Sequence, residues 1–142
     1  MTKRPRFRTR PDSYGIDGFY CTVPLSRGYR LRMDLYLFEP DWLGGRYEVD
    51  VALMAYPGRY SLSRAMDKEG TATGPGGVEV VYPALEILEA AGAEALKRWG
   101  HYWLRLRVDA ANETLYRVYK RFLTPRGFRA TEWELELIKD LN

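Results

Sequence analysis

With 142 residues, 46% of them hydrophobic and 14% aromatic, the chain is expected to form one domain with a core of its own. No run approaches the ~20 consecutive apolar residues that span a bilayer, and the arginine-rich first ten residues lack the apolar segment of a signal peptide. A net charge of +3, one cysteine (Cys21) and one histidine (His101) leave no disulfide framework or zinc-type cluster and little room for histidine-dependent catalysis, and point to a reducing cytoplasm.

Residues 1–12 repeat arginine, carry two prolines and have Phe7 as their anchor; they read as a flexible basic arm ahead of a single α+β domain at 13–142. Residues 14–24 give a first strand with Phe19, Cys21 and Val23 on one face, and Ser26-Arg27-Gly28 makes a turn. From 29 to 39 the period is two: Leu31, Met33, Leu35 and Leu37 face one side, Arg30, Arg32, Asp34, Tyr36 and Phe38 the other. Asp41–Gly45 turns into a third strand, where Tyr47, Val49, Val51, Leu53 and Ala55 alternate and complete an antiparallel meander. Residues 60–69 have no clear period, with a short strand at Tyr60–Arg64 as one reading.

A glycine-rich stretch from Gly70 to Gly77 then opens a long helix with Val78, Val81, Leu85, Leu88, Ala91 and Leu96 on its apolar stripe. Pro83 falls in the first turns, where proline is tolerated, Gly92 is expected to bend or weaken the helix, and Gly100 ends it after Trp99. Residues 101–108 alternate as a strand with Tyr102, Leu104, Leu106 and Val108 on one face. Asp109–Asn112 caps a second helix to about Leu123, striped by Leu115, Val118, Tyr119 and Phe122. The end, from Phe128, alternates Trp133, Leu135 and Leu137 with glutamates and reads as one strand with a wet face. The expected fold is α+β: a mostly antiparallel twisted sheet of about six strands with two main helices.

The loop before the long helix carries Gly74, Gly76 and Gly77, and a helix opened by such a loop aims its first N–H groups, from Val78 on, at any bound anion. This order of elements, with Thr71-Ala-Thr-Gly74-Pro-Gly76-Gly77, Asn112, Tyr119 and Gly127-Phe128, resembles the GNAT acyltransferases, and more closely the short GNAT-like proteins of bacteriophages. The resemblance implies an acetyl-CoA-dependent N-acetyltransferase in which Gly74, Gly76, Gly77 and Val78 hold the pyrophosphate and Tyr119 is the general acid toward the departing thiolate. Residue 71 is a threonine where that family has Gln or Arg, and Pro75 removes one amide from the loop. On the helix stripe alone, Tyr119 is a core tyrosine. Glu48 and Asp50 alternate with apolar residues on the third strand, a position at which carboxylates are ordinarily solvated, so no general base stands out. His101 reads as a packing or capping residue, and Cys21 as a small buried hydrophobe.

Charge is polarised along the chain, with eight basic residues before position 33 and Glu132, Glu134, Glu136 and Asp140 near the end. Glutamine is absent, asparagine occurs only at 112 and 142, and arginine far outnumbers lysine, a composition that suits a hot environment. Arginine interleaved with aromatics is the chemistry of protein interfaces, so Arg4, Arg6, Arg8, Arg10, Arg30, Arg32, Tyr36 and Trp42 are candidate partner-binding residues. No helix groups basic residues at the spacing of a recognition helix, which disfavours sequence-specific nucleic-acid contact. Size, composition and the phage-type motif also resemble small phage regulators that bind host RNA polymerase. The leading expectation is therefore a monomeric, non-catalytic regulator of that kind, acting on transcription in the host cytoplasm without a cofactor. The acetyl-CoA-dependent enzyme is the alternative.

Overall fold

The computed structural model describes residues 5–10, 17–39, 45–57 and 78–142. The strands are β1 (Arg8–Thr9), β2 (Gly18–Pro24), β3 (Tyr29–Phe38), β4 (Arg46–Pro57), β5 (Trp103–Asp109), β6 (Arg129–Ala130) and β7 (Glu136–Asp140). The helices are α1 (Val78–Trp99) and α2 (Glu113–Leu123). Among the described residues seven strands form one sheet in the order β1-β2-β3-β4-β5-β7-β6, with β4 and β5 paired in parallel and the other neighbours antiparallel. This is the expected α+β class.

The period of two places the core. Leu31, Met33 and Leu35 on β3, Val49 on β4, and Leu104, Leu106 and Val108 on β5 are buried together beneath α1, which contributes Leu85, Ile87, Leu88, Ala91, Ala95 and Trp99. A side-chain period of two puts every second residue on the opposite face. Tyr20, Arg32, Asp34, Tyr36, Glu48, Asp50, Arg105, Arg107 and Glu136 accordingly share the other side of the sheet.

The turn at Ser26–Gly28 takes left-handed backbone at Arg27 (φ 56°) and Gly28 (φ 74°), which reverses β2 into β3. At its top, the Ser26 N–H donates to Glu79 Oε1 at 2.9 Å, tying the first turn of α1 to the β2–β3 turn. The Ser26 hydroxyl first, and then this N–H, hold the Glu79 carboxyl below its ordinary range.

Three sequence expectations change. Gly92 does not interrupt α1, which runs as one helix from Val78 to Trp99. A Cβ there would meet Leu141 Cδ2 at 3.4 Å and Leu106 Cδ1 at 3.9 Å, ordinary contacts that leave room for a methyl group. The C-terminal stretch is not one wet strand but a hairpin, β6 and β7, reversed at 131–135 with Leu135 at φ 61°. The reversal shifts the pattern, so Glu136 is 5% exposed while Trp133 is 66% exposed. Within the basic arm, Arg8–Thr9 forms the sheet edge, pairing with Tyr20 and Phe19, and the Phe7 ring meets Phe19 edge-on at 5.1 Å. The reading of a strand at Tyr60–Arg64 lies outside the described residues.

Gly92→Ala is expected to stabilise the protein by up to about 1 kcal/mol, since alanine is the better helix former and the Leu141 methyl can yield. Gly92→Leu is expected to destabilise it by about 1–3 kcal/mol through overpacking against Leu106 and Leu141. Urea unfolding of the two variants measures both signs.

Candidate functional site

β4 and β5 pair from Arg46↔Trp103 to Val51↔Val108 and then part. β5 ends at Asp109, and the Ala110 N–H turns away to bond the Leu135 carbonyl at 2.9 Å. Asn112 then caps α2, its side chain accepting from the Leu115 N–H at 2.9 Å. β4 runs on through Pro57 because β3 holds it on the other side, pairing Asp34↔Ala52 through Tyr29↔Pro57. From Ala52 onward no described strand pairs with the β5-facing edge of β4.

On the helix face, this fork opens into an apolar cleft of about 580 Å³. Val51, Leu53 and Ala55 of β4 and Val108 of β5 form its floor, Val80, Val81 and Ala84 of α1 one wall, and Leu115, Val118, Tyr119 and Phe122 of α2 the other. At the lip, the rings of Tyr82 and Phe122 meet edge-on at 6.2 Å. Small residues at 55 and 84 keep the cleft open where leucines would fill it. The α2 stripe, legible as a core stripe, faces this cleft: Leu115 is 37% exposed, and Val118, Tyr119 and Phe122 are half-buried. Burial pushes the Tyr119 phenol above its ordinary value, so it stays protonated at neutral pH.

On the opposite face, below the same fork, lies a cluster of charges that sequence reasoning passed over. Glu48 is 1% exposed, a correction to its expected solvation. Arg105 Nη2 and Arg107 Nε each lie 3.6 Å from its Oε1. Arg107 also reaches Asp50 at 3.8 Å, Asp109 at 2.9 Å and Glu136 at 2.8 Å. Glu136 takes a further bond from the Thr131 hydroxyl at 2.9 Å. Burial is the largest cause raising the carboxyl pKa values of Glu48, Asp50 and Asp109, and neighbouring carboxylates add to it at each. The signal was present in the sequence as Glu48-Val-Asp50 and Arg105-Leu-Arg107-Val-Asp109. Only the parallel register, Glu48↔Arg105 and Asp50↔Arg107, brings these runs together.

The remaining candidates are dispersed. Gly74, Gly76, Gly77, Arg4 and Trp42 lie outside the described residues, and Val78 begins α1. Arg6, Arg8 and Arg30 are exposed. Arg32 binds Asp34 through two nitrogens, at 2.9 and 3.0 Å, and stacks on Tyr20, while Arg10 contacts the Tyr36 hydroxyl and ring. The α2-facing cleft and this arginine–tyrosine surface are therefore separate. His101 is exposed with its ring against Tyr102, and Cys21 is buried, which raises its thiol pKa. Among the described residues no helix is long and apolar enough to cross a membrane, and no three ligating side chains are placed to hold a metal ion. No protein-family model, curated protein or solved structure matches the chain.

Removing Arg107 leaves buried carboxylates without their main counter-charge, so Arg107→Met is expected to cost about 3 kcal/mol. The pH response has a fixed sign. A carboxyl whose folded pKa is raised contributes stability that is complete below its unfolded pKa of about 4 and is lost as pH rises through the folded value. Glu48→Gln, which removes one such group, is expected to flatten the fall in Tm with pH above about 4, read by circular dichroism.

Proposed function

We propose that the cleft holds the acyl-pantetheine arm of an acyl-CoA substrate and that the protein is an acyl-CoA-dependent acyltransferase. One observation carries this reading: the fork between β4 and β5 combines an apolar trough with a stretch of strand edge that no described strand pairs. A pantetheine arm is a narrow chain with two amides. Its amides can add to the edge of β4 from Ala52 on, which no other described strand pairs on that side, while its methylenes lie against Val80, Val81 and Ala84. When bound, the thioester supplies an activated acyl carbon and a thiolate leaving group. Tyr119 lines the cleft and is the residue that the resemblance makes the proton donor to that thiolate; burial raises its pKa, so the role requires the bound thioester to lower it again.

A second reading has its own observation. Arg10–Tyr36 and Arg32–Tyr20 form paired cation–aromatic contacts on the open face of β2 and β3, with Arg30 exposed beside them. Such a surface suits a protein partner, and host RNA polymerase is the partner proposed on the resemblance. Titration of purified bacterial polymerase tests it, with Arg30→Glu/Arg32→Glu expected to weaken binding at least about tenfold.

For the acyltransferase, isothermal calorimetry with acetyl-CoA is expected to show saturable binding that Ala84→Trp abolishes by filling the cleft. Tyr119→Phe is expected to bind acetyl-CoA normally and to lose turnover by about 10²–10⁴-fold. An absence of binding to folded wild-type protein would overturn this reading.

A further inference from the structure

We infer that a second cavity, between α1 and β7, binds a medium-chain fatty acid, with Lys139 and Arg126 taking its carboxylate. The cavity holds about 410 Å³, within the size of small-molecule pockets, about 300–1,000 Å³. Leu88 and Leu96 of α1 form one apolar wall, and Leu106, Phe128 and Leu141 form the other. The α1 wall begins at Leu85 and ends at Leu96, an advance of about 16 Å along the helix, which suits a narrow alkyl chain. This space is not the acyl-CoA cleft. Leu85 and Leu88 line both, but Ala84 and the α2 stripe line only the cleft, while Ala93 and Lys139 line only this cavity.

The placing of Lys139 points to the charge of the ligand. Alternation along β7 puts Leu137 and Lys139 on the helix face, where Lys139 lies opposite Leu106, a core residue 2% exposed. A half-buried lysine thus stands where the pattern of the core calls for an apolar side chain. Its ammonium lies 5.9 Å from the centre of the Phe128 ring, and no carboxylate among the described residues is within ion-pairing distance. Taking an ammonium out of water is costly unless an anion or other acceptors meet it.

Arg126 lines the same cavity from the turn that follows α2. Its Nη1 donates to the Phe122 carbonyl at 2.8 Å, which holds the guanidinium in place and leaves its other N–H groups without a partner among the described residues. Two acids also line the cavity. Asp140 is taken by Arg46 and Arg129, each at 3.1 Å, and Glu89 is exposed on α1 and pairs with neither Lys139 nor Arg126. An apolar cavity with two such cations fits an amphipathic anion. The two oxygens of one carboxylate can accept from the ammonium and the guanidinium together, while an unbranched tail lies along the leucines.

The assignment does not rest on the acyltransferase reading, and its test needs no thioester. The probe is octanoate, titrated by calorimetry into the full chain. The controls are 1-octanol, which lacks the charge, and butyrate, which lacks most of the tail. Octanoate is expected to bind saturably, and each control at least about tenfold more weakly. Lys139→Met, which keeps an apolar stem on the helix face, is expected to weaken octanoate binding at least about tenfold. Ala93→Trp is expected to abolish it by filling the cavity from an exposed helix position, where the larger side chain does not disturb the core. Ala84→Trp, which fills the cleft instead, is expected to leave the octanoate affinity unchanged, so the two sites fail separately. No saturable binding of octanoate to folded wild-type protein, equal binding of octanol, or an affinity unchanged in either Lys139→Met or Ala93→Trp overturns the assignment.

Discussion

β4 and β5 lie side by side for six residue pairs and then diverge, because their neighbours pull them in different directions. The β3 hairpin holds β4 over ten pairs, as far as Pro57, while β5 is drawn off by the Ala110–Leu135 bond and the Asn112 cap of α2. A sheet whose strands part leaves backbone groups without partners on one edge, and such groups are stable only where water or a ligand can meet them. The cleft on the helix face arises at this divergence, while the charged cluster on the other face is set by the paired register just before it.

The two faces differ in how they are stabilised. The helix face gains from apolar burial, with α1 laid close on the sheet at Ala91, Gly92 and Ala95. The opposite face holds carboxylates near guanidiniums, where the cost of removing charge from water offsets most of the attraction between them. Such a cluster adds little to stability, yet a single missing partner is expensive. Arg107, within reach of Glu48, Asp50, Asp109 and Glu136, is the residue that makes the arrangement tolerable. The raised carboxyl pKa values record what remains uncompensated.

The two sides of the sheet carry opposed chemistries, an apolar cleft on one and a cluster of carboxylates and guanidiniums on the other. The phenol of Tyr119 and the carboxylates of Glu48 and Asp50 stand on those two sides. The arginine–tyrosine surface of β2 and β3 is a third region, built from local pairs such as Arg32 with Asp34 and Tyr20.

The period-two runs at 29–38 and 46–57, the helical stripe of α1 and the Asn112 cap were legible from residue order, since each depends on contacts within a few residues or on a repeat that only one element can satisfy. The α+β class followed from them. Tertiary structure alone decided the rest. The role of Gly92 depends on Leu141 and Leu106, far away in sequence, and the hairpin at 131–135 depends on a reversal at Leu135 that no glycine or proline marks. Glu48 and Asp50 read as solvated carboxylates until a parallel register, set across the whole length of α1, placed Arg105 and Arg107 beside them. Alternation tells which residues share a face of one strand; it cannot tell which strand lies next to it, and the candidate site is made of that adjacency.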